Sequence, residues 1–278
     1  MSTFVDTNVL LYARDTGQPE KQATAAGWIE HLWGSNGGRV STQVLNEFYV
    51  NATRKLTHPI TTAEARADVA DLAGWEPAAT DGDLVAAAWG RANLRPGDEI
   101  LLTLLEHHAN LVPWQMIAQA VGASVRFVEV DETGAIDLED YQRRLGTGRV
   151  RIVATTAMSN VVGTEPPLDR MIAQAHDAGA LVLVDAAQAV PHHGFDVGRL
   201  DPDFLAFSGH KLGGPTGVGV LYGRRSLLEA MPPFLGGGGM VLKVDCQGAK
   251  WNDLPMKFEA GTPPIAQAIG LGAAIDYL

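Results

Sequence analysis

At 278 residues the chain is long enough for one large or two small domains with a sizeable core. Its 46% hydrophobic and 19% charged residues, with a mean hydropathy of +0.02, exclude a disordered tail. A balance of 21 Lys+Arg against 32 Asp+Glu, net −11, opposes non-specific attraction to nucleic acid or an anionic membrane.

The opening MSTFVDTNVLLYARD reaches Asp6 too early for a secretory segment, and no run approaches the ~18 apolar residues of a membrane span, so a cytoplasmic protein without a membrane partner is expected. The one cysteine, Cys246, can make neither an internal disulfide nor a zinc site. Only 7 of the 31 glycines fall in residues 1–88, and the texture changes near Trp89. Two segments are therefore expected, 1–88 and 89–278.

In chain order, the first segment predicts a short strand over Thr3–Asp6 and an apolar helical stretch over Val9–Ala13. A second helix, about Glu20–Trp33, carries Trp28, Ile29, Leu32 and Trp33 at three-and-four spacing. A strand at Arg39–Ser41 comes next, then a helix from about Gln43 to Lys55. A helix over Thr61–Leu72 opens on a Thr-Thr-Ala-Glu capping signal.

The second segment alternates apolar strands with helices, the pattern of an α/β domain with a mostly parallel sheet. Strands are predicted at Glu99–Leu105, Ser124–Val130, Val150–Ala157, Ala180–Val184, Phe204–Phe207 and Gly219–Tyr222. Helices fit at Pro113–Val121, Asp137–Leu145, Pro167–Ala178 and Ser226–Met231, with a last one after Pro264. In such a sheet the ligand lies outside the carboxyl ends of the strands.

Four polar clusters stand just past those ends: Glu106-His107-His108-Ala109-Asn110, Met158-Ser159-Asn160, Asp185-Ala186-Ala187-Gln188 and Ser208-Gly209-His210-Lys211. An Asp closing the buried run Leu181–Val184 needs a cationic or hydrogen-bonded partner, and a protonated pyridine nitrogen is one. A lysine in a Gly-rich turn can be desolvated enough to act as an amine nucleophile. Pyridoxal phosphate (PLP) joins these observations in one ligand.

The blocks GDEILLTLLEHHANLVPWQ (97–115), SNVVGT (159–164), VDAAQAVPHH (184–193), FSGHKLGGPTGVGVLYG (207–223) and FEAGTP (258–263) stand in an order that resembles the large domain of SUF-type cysteine desulfurases. These belong to the class V aminotransferase family and have the PLP fold-type I architecture. The resemblance implies Lys211 as the Schiff-base lysine and proton mover, and His107 as the ring stacked on the cofactor and an acid/base helper. It implies Asp185 on the pyridine nitrogen, Gln188 on the phenolic oxygen and Asn160 near that oxygen and the substrate carboxylate. Ser208 and His210 match phosphate ligands. Thr262 matches the threonine that reaches the phosphate of a partner subunit, which implies a homodimer. The implied substrate is L-cysteine or a similar amino acid, with alanine as product and the sulfur passed to an acceptor protein for iron-sulfur assembly. A selenocysteine lyase or another class V enzyme remains an alternative.

Three family features are not found. The phosphate-cradling Gly-Thr-Thr turn is replaced by Pro77-Ala78-Ala79, with Thr80, Asp81 and Asp83 close behind. The persulfide cysteine cannot be placed at Cys246, and the arginine that clamps the substrate carboxylate has no counterpart. A C-terminal small domain is expected to be missing and sulfur transfer incomplete.

Residues 1–88 resemble something else, the first half of a PIN-domain ribonuclease of the toxin-antitoxin kind, through FVDTNVLLYA (4–13) and STQVLNEFYVNATRK (41–55). Asp6 and Glu47 match two of the acidic residues that hold Mg or Mn for RNA hydrolysis. The chain thus reads as a chimera of a partial PIN-like segment and a PLP large domain. A metal-dependent ribonuclease and an inactive fusion remnant are the alternatives to the PLP enzyme.

Overall fold

A computed structural model describes residues 3–35, 38–40, 42–72 and 85–278. The chain divides into two compact units, Met1–Ala79 with Gly261–Pro264, and Thr80–Ala260 with Ile265–Leu278.

The first unit begins with β1 (Thr3–Phe4), which pairs in parallel with β2 (Gly38–Arg39). Both strands are only two residues long, so the predicted strands ending at Asp6 and Ser41 are too long at their C-terminal ends; Ser41 itself lies outside the described residues. Asp6 leaves the strand because it caps the next helix. In α1 (Thr7–Arg14) the Asn8 N–H donates to Asp6 Oδ1 at 2.9 Å. Helix α2 (Pro19–Gly34) starts with proline in its first turn, where the missing N–H is not needed. Helices α3 (Thr42–Ala52) and α4 (Thr62–Leu72) complete the unit, with α1 packed on α2 and α3, and α3 on α4.

The expected capping box of α4 is present: Glu64 N–H donates to Thr61 Oγ1 at 3.2 Å and Thr61 N–H to Glu64 Oε2 at 2.8 Å. The core comprises Val5, Leu10, Leu32, Val40, Val44, Leu45, Phe48, Ala52 and Leu72. Of the apolar stripe predicted on α2, Leu32 is buried and Ile29 packs beside it, but Trp28 and Trp33 are 56% and 47% exposed. The two indoles flank the buried stripe on either side, each walling a surface groove.

The second unit is a six-stranded sheet in the order β4-β3-β5-β6-β7-β8. The strands are β3 (Glu99–Thr103), β4 (Ser124–Val128), β5 (Val150–Thr156), β6 (Leu181–Asp185), β7 (Phe204–Ser208) and β8 (Gly219–Gly223). All neighbours are parallel except β7 and β8, which run antiparallel. Three predicted strands stop early at their C-terminal ends because the chain turns there. Thr103 Oγ1 accepts the Leu105 N–H and ends β3, Val130 leaves β4 to bridge Ile136, and Ala157 leaves β5 with its N–H on Asp185 O.

Both faces of the sheet are apolar, which is why the strands read as continuous hydrophobic runs. Alternate residues serve opposite layers. Ile100, Leu102, Ile152 and Leu183 join Trp89 and Trp114 on one side, while Leu101, Val153, Val182 and Val184 join Tyr141, Met171 and Ile172 on the other. The first layer is closed by a π-helical turn, Ala86–Gly90, and by α5 (Val112–Val121). The second is closed by α6 (Leu138–Leu145) and α7 (Leu168–Asp177), stitched together by Tyr141 Oη donating to Met171 O at 2.8 Å.

A short helix α8 (Val197–Leu200) precedes β7, and α9 (Arg225–Ala230) comes after β8. Then come an antiparallel hairpin, β9 (Val241–Asp245) with β10 (Gly248–Trp251), and a final helix, α10 (Ile265–Tyr277). Neither α8 nor the hairpin is expected from the sequence. No helix among the described residues is long and apolar enough to cross a membrane.

Candidate active site

The two edges of the sheet differ chemically. At the N-terminal ends of the strands the charges are answered: Asp98 by Arg151 at 2.8 Å, Glu99 by Arg149 at 2.9 Å, and Asp203 by Arg224 at 3.0 Å and His176 at 2.9 Å.

At the C-terminal ends the polar groups lack such partners. Asp185 closes β6, half-buried, with Oδ1 accepting the Ala187 N–H at 2.9 Å. Gln188 lies three residues on, also half-buried. Ser208 closes β7, and His210 and Lys211 sit in the 3₁₀ turn Gly209–Leu212 just after it. Asn160 lies in the exposed loop after β5. Among the described residues, the side chains of Asn160, Gln188, Ser208, His210 and Lys211 make no hydrogen bond or ion pair.

The Lys211 turn is tightly specified. Gly213 closes it at φ +81°, a conformation that favours glycine. A Cβ on Gly209 would lie 2.9 Å from the Val218 carbonyl oxygen. Helix α10 packs against this turn through Leu271.

His107 lies beyond β3 and caps the 3₁₀ turn His108–Asn110, its Nδ1 accepting the Ala109 N–H at 3.2 Å. That bond places the proton of a neutral ring on Nε2. Its neighbour His108 lies with ring centroids 5.8 Å apart.

Glu106, the residue before His107, has no role assigned from the sequence. Its carboxylate takes three donors: Thr103 Oγ1 at 2.5 Å and the Thr156 N–H at 3.0 Å on Oε1, and Asn110 Nδ2 at 2.7 Å on Oε2. Burial pushes its pKa up from the usual 4.5 to about 7, against these hydrogen bonds and with a further push from the Asp185 charge. The signal in the sequence is an acid a few residues past the buried apolar run Ile100–Leu102, where no arginine lies nearby in the chain.

The donor set fits PLP: a carboxylate for a protonated ring nitrogen, with Oδ1 held by the Ala187 N–H, and unpaired amine, hydroxyl, imidazole and amide groups for the carbonyl carbon and the oxygens, all at one edge of the sheet. Thr262 belongs to the 261–264 segment grouped with residues 1–79, whereas the edge residues belong to the second unit. Pro77, Ala78, Ala79, Thr80, Asp81 and Asp83 lie outside the described residues. Cys246 is exposed in the β9–β10 turn.

The expected Mg or Mn site finds no support in the first unit. Asp6 is the exposed N-cap of α1, Glu47 lies on α3, and no group of three or more His, Cys, Asp or Glu among the described residues could hold a metal ion.

The profile of the family described as Aminotransferase class-V matches residues 42–278. That match runs through residues 42–55 and across residue 88, where the sequence suggests a change of family, and lends the ribonuclease resemblance no support. The chain is similar to a cysteine desulfurase of Haloferax volcanii, 48% identical over 196 residues, which are 70% of this chain and 46% of that one. It is similar in structure to the cysteine desulfurase CsdA of Escherichia coli in its S-sulfonic acid form, with a TM-score of 0.70 and 43% identity over 85% of this chain and 64% of that one. It is also similar to a lysine-to-alanine mutant of C-DES with glycine covalently linked to its PLP cofactor, with a TM-score of 0.59 and 25% identity over 85% of this chain and 67% of that one. The sheet and its helices thus have the PLP fold-type I architecture, and the chain spans about half the length of the curated relatives it matches.

Proposed function

Because this chain belongs to the class V aminotransferase family, we propose that it holds PLP at the C-terminal edge of its sheet and acts on L-cysteine or a similar amino acid in the manner of a cysteine desulfurase. The observation that carries this reading is the unpaired set Asn160, Gln188, Ser208, His210 and Lys211, gathered at one edge with Asp185 and His107. Bound there, PLP would supply an electron sink for bond cleavage beside the substrate α-carbon.

The chain's own groups divide the remaining work. Lys211 holds the cofactor through its amine and moves the proton at the α-carbon. Asp185 keeps the ring nitrogen protonated, Gln188 bonds the phenolic oxygen, and Ser208 and His210 bind the phosphate. Asn160 orients the substrate carboxylate. His107 would stack on the bound ring, with Nε2 free to serve as an acid/base helper. Desulfuration breaks the Cβ–S bond of L-cysteine; the sulfur passes to a thiolate as a persulfide, and the carbon skeleton takes up a proton to leave alanine. The receiving thiolate is not assigned to Cys246. Thr262 reaching a partner's phosphate implies a homodimer, and a sulfur acceptor protein completes the set of partners.

The test is alanine formation from L-cysteine by PLP-treated protein with an added thiol. Alanine that disappears in Lys211→Ala supports desulfuration; its absence in protein that has taken up PLP refutes it.

A second reading concerns the first unit alone. A parallel β1–β2 pair over a separate core, with Asp6 just after β1, is what favours half of a PIN-type ribonuclease, in which Asp6 and Glu47 would hold Mg or Mn. Metal-dependent RNA cleavage lost in Asp6→Asn would support it, and cleavage unchanged by that substitution would refute it.

A further inference from the structure

We propose that Glu106 is a positioning residue of the cofactor site, tying the turn that carries His107 to the strand pair that carries Asp185. The inference deepens the PLP reading and rests on it for its functional meaning.

Strand β3 ends before its neighbour does. The last register pair between β3 and β5 is Leu102 with Ala154, so the Thr156 N–H lies beyond the ladder, where β3 has turned away. A backbone donor left there would be unsatisfied, and Glu106 Oε1 meets it at 3.0 Å. Thr156 in turn pairs with Asp185 of β6, and the next N–H, that of Ala157, donates to Asp185 O at 2.8 Å. The same carboxyl group therefore continues the job of a strand and fixes the backbone against which Asp185 is registered.

Its other oxygen faces the histidine turn. Asn110 Nδ2 donates to Oε2 at 2.7 Å, and Asn110 Oδ1 accepts the indole N–H of the fully buried Trp114 at 3.3 Å. The amide is thus held in one orientation, with its NH₂ toward Glu106. The Asn110 N–H closes the turn on His107 O at 2.8 Å. One residue thus spans β3, the His107 turn and β5, three of the elements that end at the proposed site.

The contrast with the opposite edge points to a dedicated arrangement. Asp98, Glu99 and Asp203 are met by arginines, whereas Glu106 is met by a hydroxyl, an amide side chain and a backbone N–H. Neutral donors fix geometry without adding positive charge beside Asp185, which must keep its own attraction for a cationic ring.

Two variants of the full chain separate positioning from bulk stability. Glu106→Ala removes all three bonds. Glu106→Gln keeps an oxygen for Thr103 and Thr156 but turns an NH₂ toward the fixed NH₂ of Asn110. Two quantities are measured: the PLP dissociation constant from the visible band, and amide hydrogen exchange in PLP-free protein. In Glu106→Ala, PLP affinity is expected to fall at least about tenfold. Exchange at Ala109, Asn110 and Thr156 is expected to rise by a similar factor, with Leu183 and Leu205 within about threefold of wild type. In Glu106→Gln, Thr156 should stay protected while Ala109 and Asn110 do not, a split that loss of bulk stability would not produce. Wild-type PLP affinity in Glu106→Ala overturns the proposal, as does acceleration spread evenly to Leu183 and Leu205. If Glu106→Ala fails to fold, the Gln split decides. If wild type takes up no PLP, the functional reading fails, and the exchange pattern still decides whether Glu106 ties the turn to β5.

Discussion

Raising the pH from 5 to 8 should destabilise the wild-type protein relative to Glu106→Gln by about 2–3 kcal/mol. The folded state holds the Glu106 proton to about pH 7, whereas the unfolded chain releases it near the usual 4.5. Between those values the folded state binds more protons, so stability falls as pH rises through the window and levels off above about pH 7. At pH 5 about a quarter of the penalty has developed and at pH 8 nearly all of it has, each pH unit well inside the window being worth roughly 1.4 kcal/mol. Glutamine has no proton to release, and its mismatch with Asn110 is the same at both pH values. His107 and His108 are common to both proteins, and the push from the Asp185 charge is already contained in the raised Glu106 value. Urea unfolding of both proteins at pH 5 and pH 8, monitored by circular dichroism, gives the double difference. A gap unchanged between the two pH values would refute the claim that Glu106 holds its proton through this range.

Tyr141→Phe removes the hydroxyl that donates to Met171 O between α6 and α7 and should destabilise the protein by about 1 kcal/mol in urea unfolding. Asp6→Ala removes the N-cap of α1 and should lower stability by about 1 kcal/mol, with Asp6→Asn retaining most of it. If Asp6 held a metal instead, Mg would stabilise wild type and not Asp6→Asn. Gly209→Ala presses a Cβ on the Val218 carbonyl and should destabilise by about 1–3 kcal/mol while weakening PLP uptake, since the turn that must shift carries Lys211. An unchanged melting temperature in Gly209→Ala would show that the turn yields freely.

The strands of the second unit are legible in the sequence because both faces of the sheet are covered. A run such as Leu181–Val184 is apolar at every position, and its end at a carboxylate marks the sheet edge. The chemistry at that edge is legible for the same reason, since Asp185 and Ser208 close largely buried strands and Lys211 lies in the turn that follows β7. The β9–β10 hairpin is not, because Leu242, Val244 and Trp251 remain largely exposed and leave no buried alternation to read. Strands β1 and β2 are too short for a period to develop, and Trp28 and Trp33 sit at helical spacing yet flank the core. Glu106 escapes a sequence reading because its role depends on Thr156, fifty residues away, meeting it past the end of β3. No local pattern encodes that meeting.

The central claim, that the C-terminal edge of the sheet holds PLP through Lys211, is tested most directly by a visible absorption titration of the purified chain with PLP. Wild type and Lys211→Ala are run side by side, with borohydride reduction and peptide mapping afterwards. A saturable band in wild type and a reduced adduct on the peptide containing Lys211 are expected, and neither in Lys211→Ala. A folded wild-type chain that gives no saturable band, or an adduct on other lysines that persists in Lys211→Ala, would contradict the claim.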